Sequence, residues 1–139
     1  MNVDLDLVSH SSDDLDRLLV KFSAGADIIH REPCFAILEL EHTRANDLAS
    51  TLSGLLGLIE SLDEPSRRIW EKLAARRLDI GVRAGLTLER STYAVSPALL
   101  RHLAAAHVEL IFTLYGPISY QAGDGGKVMD IAKSLGAAK

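Results

Sequence analysis

The pattern of apolar and polar positions changes period within residues 96–116, and the change predicts a helix followed by a strand. Ser96 is a suitable N-cap, and Pro97 suits the first helical position because its missing N–H would have no partner there. The run V-E-L-I-F-T-L-Y that follows is almost continuously apolar, which is typical of a buried strand. We predict that this strand is the central one of a sheet. Helices are expected to cover four of its side chains: Val108, Leu110, Phe112 and Leu114.

The N-terminal part of the chain predicts two strands with a helix between them. Alternating positions indicate a short first strand whose apolar face is formed by Val3, Leu5 and Leu7. Ser11 or Ser12, followed by acidic residues, predicts the N-cap of a helix that ends near Gly25. Residues 26–33, A-D-I-I-H-R-E-P, are interpreted as a connector to a second strand, C-F-A-I-L-E-L-E, in which Cys34 is expected to be buried.

A long amphipathic helix is predicted to begin at Thr43 or Asn46, because leucine and isoleucine recur at intervals of three and four as far as Leu62. Gly54 and Gly57 would each cost roughly 1 kcal/mol in this helix relative to alanine. They therefore imply either close backbone packing or a frayed second half, and we favour close packing.

A third helix and a β-hairpin are predicted before residue 96. The segment D-E-P at 63–65 is a helix start, and Trp70 is expected to anchor this helix in the core. Residues 78–83 alternate as a strand, Gly85 supplies a turn, and residues 88–95 are predicted to return as the second strand of the hairpin.

The predicted order of elements is β-α-β-α-α-β-β-α-β, which indicates the α+β class. We expect an antiparallel or mixed sheet of four to five strands with helices on one face, in a single domain over residues 1–139. The last roughly 20 residues are expected to be flexible or to form a short terminal helix. The apolar positions of that helix would be Val128, Ile131, Ala132 and Leu135.

Composition and charge exclude some classes of partner. The formal net charge is −4 and the basic residues are scattered, whereas a nucleic-acid-binding surface needs clustered lysine and arginine. No apolar run approaches the roughly 20 residues that span a bilayer, and the N-terminus is acidic where a secretory signal would be basic. We therefore expect a cytoplasmic protein that binds neither nucleic acid nor membrane. A single cysteine allows no internal disulfide.

Residue types that carry chemistry are present, but their spacing is uninformative. No two of the five histidines stand at the i,i+4 helical spacing of a metal pair. His30, Cys34 and His42 are a loose candidate set for a soft metal, yet we expect ordinary surface and strand-end roles. The cluster A-G-D-G-G-K at 122–127 lacks the spacing of a phosphate loop and is interpreted as a flexible turn. We predict no catalytic residue, no metal site and no cofactor.

The predicted hairpin is the one candidate binding surface. A mixed-charge face would be formed by Asp79, Arg83, Glu89, Arg90 and Tyr93. As a docking face it would bind a protein, with Asp79, Arg83, Arg90 and Tyr93 as the candidate binding residues. The alternative interpretation is cross-strand ion pairing on a solvated sheet, which contributes under about 1 kcal/mol per pair.

Two segments carry a family resemblance. The stretches R-L-D-I-G-V and Y-A-V-S-P-A-L-L-R-H-L-A-A-A-H-V-E-L-I-F-T-L-Y-G resemble the C-terminal half of a widespread bacterial family of domains of unknown function, mainly over Leu78 to Gly116. Upstream, the chain lacks the Pro-Thr and Lys-Gly elements of that family and has Phe35 where the family has tryptophan. The resemblance implies a small bacterial α+β domain, and some comparable domains act as immunity or accessory proteins. It supplies no catalytic residues.

The leading hypothesis is a non-enzymatic protein-interaction module, immunity-like or accessory, whose partner is another protein or a second copy of the chain. The alternative is a small-molecule-binding or hydrolytic domain with a pocket between the sheet and the long helix. Such a pocket would be lined by several of His10, His30, His42 and Asp79.

Overall fold

The structure is a computed structural model that describes residues 1–41, 47–85, 92–116, 118–120 and 128–130, the last two segments by their backbone alone. Four helices are present in these ranges: α1 (Ser12–Phe22), α2 (Leu48–Glu60), α3 (Glu64–Lys72) and α4 (Pro97–Ala105). The strands are β1 (Asn2–Val8), β2 (Ala26–Glu32), β3 (Phe35–Leu40), β4 (Ala75–Arg83), β5 (Glu109–Tyr115), β6 (Ile118–Tyr120) and β7 (Val128–Asp130). None of the helices in the described ranges has the length and apolar composition needed to cross a bilayer.

Five strands form one mixed sheet in the order β2-β3-β1-β4-β5. β1 lies in the middle and is antiparallel to both β3 and β4, while β5 is parallel to β4. β2 and β3 form an antiparallel hairpin at one side of the sheet, and β6 and β7 pair in a separate two-stranded sheet. The predicted α+β class and the mixed sheet of four to five strands are therefore confirmed.

The helices cover one face of the sheet, as predicted. Buried side chains of the three inner strands form this face: Val3, Leu5, Leu7, Ala36, Leu38, Leu78 and Ile80. Against them pack the apolar stripes of the helices, among them Leu15, Leu18, Phe22, Leu52, Leu55, Trp70 and Leu103. Burial at roughly 25 cal/mol per Å² of apolar surface makes this layer the main source of stability.

The helix starts follow local capping rules. The Ser96 side chain accepts from the Leu99 backbone N–H at 3.1 Å, so the predicted cap of α4 is confirmed. Ser11 caps α1, and Asp63 caps α3. α2 begins later than predicted, at Leu48, because the Asp47 side chain caps it by accepting from Ser50 N at 3.2 Å. Thr43 and Asn46 lie outside the described residues.

Strand β2 was not predicted. Its residues were interpreted as a connector. Ile28 and Ile29 are adjacent apolar residues, so the segment lacks the alternation of a simple strand. A β-bulge between Ile28 and His30 accounts for this, since a bulge adds one residue and interrupts the two-residue period. The turn that follows contains Cys34, which is exposed rather than buried as predicted.

The predicted hairpin after β4 is wrong in the part that can be compared. Residues 92–95 form no strand, and residues 86–91 lie outside the described residues. β5 occupies the position beside β4 instead, through the crossover β4-α4-β5. The predicted terminal helix is also wrong at Val128, which lies in β7; Ile131, Ala132 and Leu135 fall outside the described ranges.

β5 is an edge strand of the sheet, not the central strand that its apolar sequence predicted. Leu110 is half-buried, but Phe112 is 55% and Leu114 is 75% exposed. Their prediction as covered side chains is therefore wrong. The physical reason is position: they lie on the helix side of the sheet, but no described helix extends over the outer half of this strand.

The two glycines of α2 lie in different environments, and this predicts opposite responses to alanine. A Cβ at Gly57 would meet no atom within 4 Å, whereas a Cβ at Gly54 would lie 2.6 Å from Leu40 Cδ2. Close packing is therefore confirmed at Gly54 and wrong at Gly57.

We expect Gly57→Ala to raise the free energy of unfolding by about 0.5–1 kcal/mol through helix propensity. Gly54→Ala should lose this gain because Leu40 must move. Urea denaturation of both variants checks the difference, and equal effects would contradict it.

Candidate functional site

The four described helices pack on one face of the main sheet, so none of them covers the opposite face. We call this surface the open face. Along β1, β3, β4 and β5 its positions alternate with the buried ones. Its members include Asn2, Asp4, Asp6, Phe35, Ile37, Glu39, Arg77, Asp79, Gly81, Arg83, Glu109, Ile111, Thr113 and Tyr115. Asp27, His30 and Glu32 of β2 continue it. A regular surface formed by side chains from five neighbouring strands suits contact with a macromolecule.

Four carboxylates form a row across the open face. Asp4 on β1 lies directly opposite Glu39 on β3 and Asp79 on β4, and Glu39 lies directly opposite Asp27 on β2. Directly opposed side chains in antiparallel strands have Cβ atoms about 4.5–5.5 Å apart, a distance at which like charges destabilise a sheet. We call these four side chains the acidic row.

The acidic row is not neutralised within the described part of the chain. None of its four carboxylates forms an ion pair there with a lysine, arginine or histidine. Two neutral groups partly satisfy it: Asn2 Nδ2 donates to Asp4 Oδ2 at 3.1 Å, and Thr113 Oγ1 donates to Asp79 Oδ1 at 2.7 Å. Within the described residues, the four carboxyl groups therefore lie opposite one another with no cation between them.

Burial, together with the neighbouring carboxylates, raises the pKa values of two β1 carboxyls. Burial, followed by the charges of Glu39, Asp6 and Asp79, raises the pKa of Asp4 from 3.8 to about 6. Burial and the charge of Asp79 also raise the pKa of Asp6, although Arg77 opposes the shift. A cation placed over the row would favour the ionised form of both groups.

Beside the acidic row on the open face, an arginine lies between two acidic side chains and offsets their charge. Arg77 lies directly between Asp6 and Glu109, and its Nε is 3.3 Å from Glu109 Oε2. Ile37 and Ile111 lie half-buried on the same face. The open face thus combines an unpaired acidic strip with apolar and charge-balanced surroundings. Within the described ranges, no three acidic, histidine or cysteine side chains are placed to share a metal ion.

The predicted binding residues are only partly brought together. Asp79 and Arg83 share the open face of β4, and the Arg83 guanidinium lies 5.6 Å from the centre of the Tyr115 ring. Tyr93 is 41% exposed and lies in an irregular segment before α4. Glu89 and Arg90 lie outside the described residues. The binding role of these residues stays a prediction.

The sequence interpretation missed most of the acidic row. For the first strand only the apolar face was singled out, which leaves out Asp4, and Asp27 lay in the predicted connector. The available signal was the alternation of acids with apolar residues in two separate strands, D-L-D at 4–6 and L-E-L at 38–40. Only the strand register shows that Asp4 and Glu39 are opposed.

A surface cavity of about 370 Å³ lies on the helix side, between α2, α3 and the end of α4. Its apolar wall includes Ile59, Leu62 and Trp70, and at its rim His102 Nδ1 lies 3.0 Å from Glu60 Oε1. An imidazole and a carboxylate beside an apolar wall can bind the polar end of a small molecule.

The predicted pocket between the sheet and the long helix is not observed in the described residues. Leu52 and Leu55 of α2 are fully buried against the sheet and fill that interface. His10, His30 and Asp79 do not line the helix-side cavity, and His42 lies outside the described ranges.

Comparison of the chain with protein-family models, with curated proteins and with solved structures finds no match. The family resemblance of residues 78–116 therefore stays a prediction, and a functional assignment depends on the geometry of the open face.

Proposed function

We propose that this chain is a non-enzymatic protein-interaction module of the bacterial cytoplasm that docks a basic surface of a partner protein on its open face. The observation that carries the proposal is the acidic row, in which four opposed carboxylates have no cationic partner among the described residues. An immunity-like or accessory role, which the family resemblance implies, is consistent with such a module.

Charge complementarity supports a basic partner. Lysine or arginine side chains laid along the acidic row would replace repulsion between carboxylates by attraction, and arginine can bind a carboxylate through two parallel hydrogen bonds. Complementary charge also raises the association rate and excludes acidic partners. The chain's net charge of −4 adds to this steering.

The apolar residues of the open face support a protein rather than a small ion as the partner. Phe35, Ile37 and Ile111 are half-buried and flank the acidic row on the same surface. Protein interfaces typically combine apolar side chains with polar and charged ones. A partner seated across β3, β1 and β4 would contact both kinds of residue.

The proposal predicts that neutralising the acidic row abolishes partner binding without unfolding the protein. In the double variant Asp4→Asn, Glu39→Gln, opposed charges are removed, so stability should be at least that of the wild type. The wild-type protein is used to capture proteins from a bacterial extract at low salt, and the affinity of the captured protein is measured by calorimetry. We expect a basic protein whose affinity falls about tenfold or more in the double variant.

A control variant removes the same charge from the helix side. Asp13 and Glu64 are exposed acids in the first turns of α1 and α3. The variant Asp13→Asn, Glu64→Gln should keep the wild-type affinity within about twofold. Equal losses in both double variants, unchanged binding in the acidic-row variant, or capture of no basic protein would each contradict the proposal.

Small-molecule binding in the helix-side cavity is the second candidate, favoured by the Glu60–His102 contact of 3.0 Å beside Trp70. Glu60→Gln separates the two functions because it changes the cavity rim and leaves the open face intact. Binding of the basic protein should survive this substitution. Loss of binding would indicate that the basic protein binds at the cavity instead of the open face.

A further inference from the structure

The two edges of the main sheet differ in how they are protected. β2 has a β-bulge and is rich in charged side chains, both of which discourage pairing with another strand. β5 pairs with β4 in continuous register over all seven of its residues, and Glu109 is its only charged residue. Its outer edge has no partner strand among the described residues. Long, regular edges with few charged side chains are templates for strand addition.

The outer edge of β5 is also apolar on the helix side. Phe112 is 55% and Leu114 is 75% exposed, and they share that side of the strand. Leu100 on the preceding helix α4 is 45% exposed. Exposed apolar side chains along an unpaired edge are characteristic of an interface rather than of a solvated strand.

We propose that β5 pairs antiparallel with β5 of a second copy of this chain, so that two five-stranded sheets form one continuous sheet. The sequence of β5 is self-complementary about Phe112 in the register that overlaps all seven residues. In this register Phe112 opposes Phe112 of the second copy, Leu110 opposes Leu114, and Ile111 opposes Thr113. Apolar side chains thus face apolar side chains on the helix side of both sheets.

Charge complementarity in the same register supports a second copy as the occupant. Glu109 opposes Tyr115 of the second copy, and within one chain the Tyr115 ring lies 5.6 Å from the guanidinium of Arg83. Each Glu109 would therefore lie between two arginines. One is Arg77 of its own chain, whose Nε is 3.3 Å from Glu109 Oε2, and the other is Arg83 of the second copy, beside the opposing Tyr115. No two like charges are opposed along β5.

The dimer would carry two open faces on one side. Because opposed residues in antiparallel strands lie on the same side of a sheet, the twofold axis is perpendicular to the sheet. Both acidic rows would then face the same direction. The pairing is independent of the proposed docking function, since it uses β5 rather than the acidic row.

Two oppositely charged substitutions on the twofold axis test the pairing. Wild-type protein should sediment as a dimer between about 1 µM and about 1 mM in analytical ultracentrifugation. Phe112→Lys and Phe112→Glu each place two like charges on the axis, and each variant should dimerise at least about 100-fold more weakly. Mixed in equal amounts, the two variants should form a heterodimer because lysine then opposes glutamate.

The matched control is Val20→Lys, which changes a residue of α1 that is 70% exposed and distant from β5 in the sequence. This variant should remain dimeric, and circular dichroism should show that all variants are folded. A wild-type monomer over the whole concentration range overturns the proposal. So does a dimer that persists in both Phe112 variants, or a variant mixture that stays monomeric.

Discussion

Replacement of Trp70 by alanine is expected to lower the free energy of unfolding by about 3–5 kcal/mol. Trp70 is 4% exposed, and its ring meets Phe22 of α1 edge-to-face with centroids 5.9 Å apart. The indole Nε1 donates to the carbonyl of Ala106 at 3.1 Å, and the Arg76 guanidinium lies 5.9 Å from the ring centre. A single side chain therefore joins α1, α3 and the end of α4. Denaturation in urea, followed by circular dichroism, measures the loss.

Trp70→Phe is the matched control because it keeps an aromatic ring and removes the N–H donor. The carbonyl of Ala106 would lose this hydrogen bond, and the smaller ring would leave part of the site empty. We expect this variant to lose about 1–3 kcal/mol, clearly less than the alanine variant. A loss below about 1 kcal/mol in Trp70→Ala would contradict the role of Trp70 as the core anchor.

Helix starts were predictable from the sequence because capping is a local interaction. Ser96 with Pro97 at α4, and Asp63 with Pro65 at α3, act over three residues and need no knowledge of the tertiary fold. The start of α2 was missed because several polar residues in T-R-A-N-D are competent caps. Capping propensity alone does not determine which of these residues becomes the N-cap. The packing of the apolar stripe of α2 against the sheet determines it.

Strand order was not predictable from apolar pattern. β5 is one of the most apolar strands, and an apolar run indicates burial without indicating what covers it. In the structure β5 lies at an edge with Phe112 and Leu114 exposed, whereas β1, with its alternating aspartates, lies in the middle of the sheet. A sequence that is buried by a second copy has the same pattern as one that is buried by its own helices.

The candidate site depends on register, which is a property of the fold. Asp4, Asp27, Glu39 and Asp79 come from four different strands, of which only β2 and β3 are adjacent in the sequence. Asp79 was predicted to lie on a binding face, but that prediction depended on a hairpin with residues 88–95. Its neighbours are instead Asp4 and, through a hydrogen bond of 2.7 Å, Thr113. Alternation predicts which acids face water and does not predict which acids face each other.

The stability of the protein should carry the electrostatic signature of the acidic row. The Asp4 carboxyl has a pKa of about 6 in the folded chain, against an ordinary value of 3.8 that applies when the chain is unfolded. Between these two pH values the Asp4 carboxyl is protonated in the folded state and ionised in the unfolded state, so proton binding favours the folded state. The stabilisation from this proton is fully present below about pH 4 and is lost as the pH rises through about 6. Asp63, whose pKa is lowered by hydrogen bonds from Ser66 and Lys21, contributes with the opposite sign.

We accordingly expect Asp4→Asn to raise the free energy of unfolding at pH 7.5 by about 1–2 kcal/mol, a value reduced for solvent screening because Asp4 is only half-buried. At pH 4 the gain should vanish, because the wild-type carboxyl is then protonated and neutral in the folded state. The difference between variant and wild type isolates Asp4 from Asp63 and the other titrating groups, and urea denaturation from pH 4 to pH 8 measures it. Asp13→Asn, which removes an exposed charge from α1, should show no such gain. An Asp4→Asn variant less stable than wild type at pH 7.5 would mean that the acidic row does not repel itself, and the charge argument for a basic partner would fail with it.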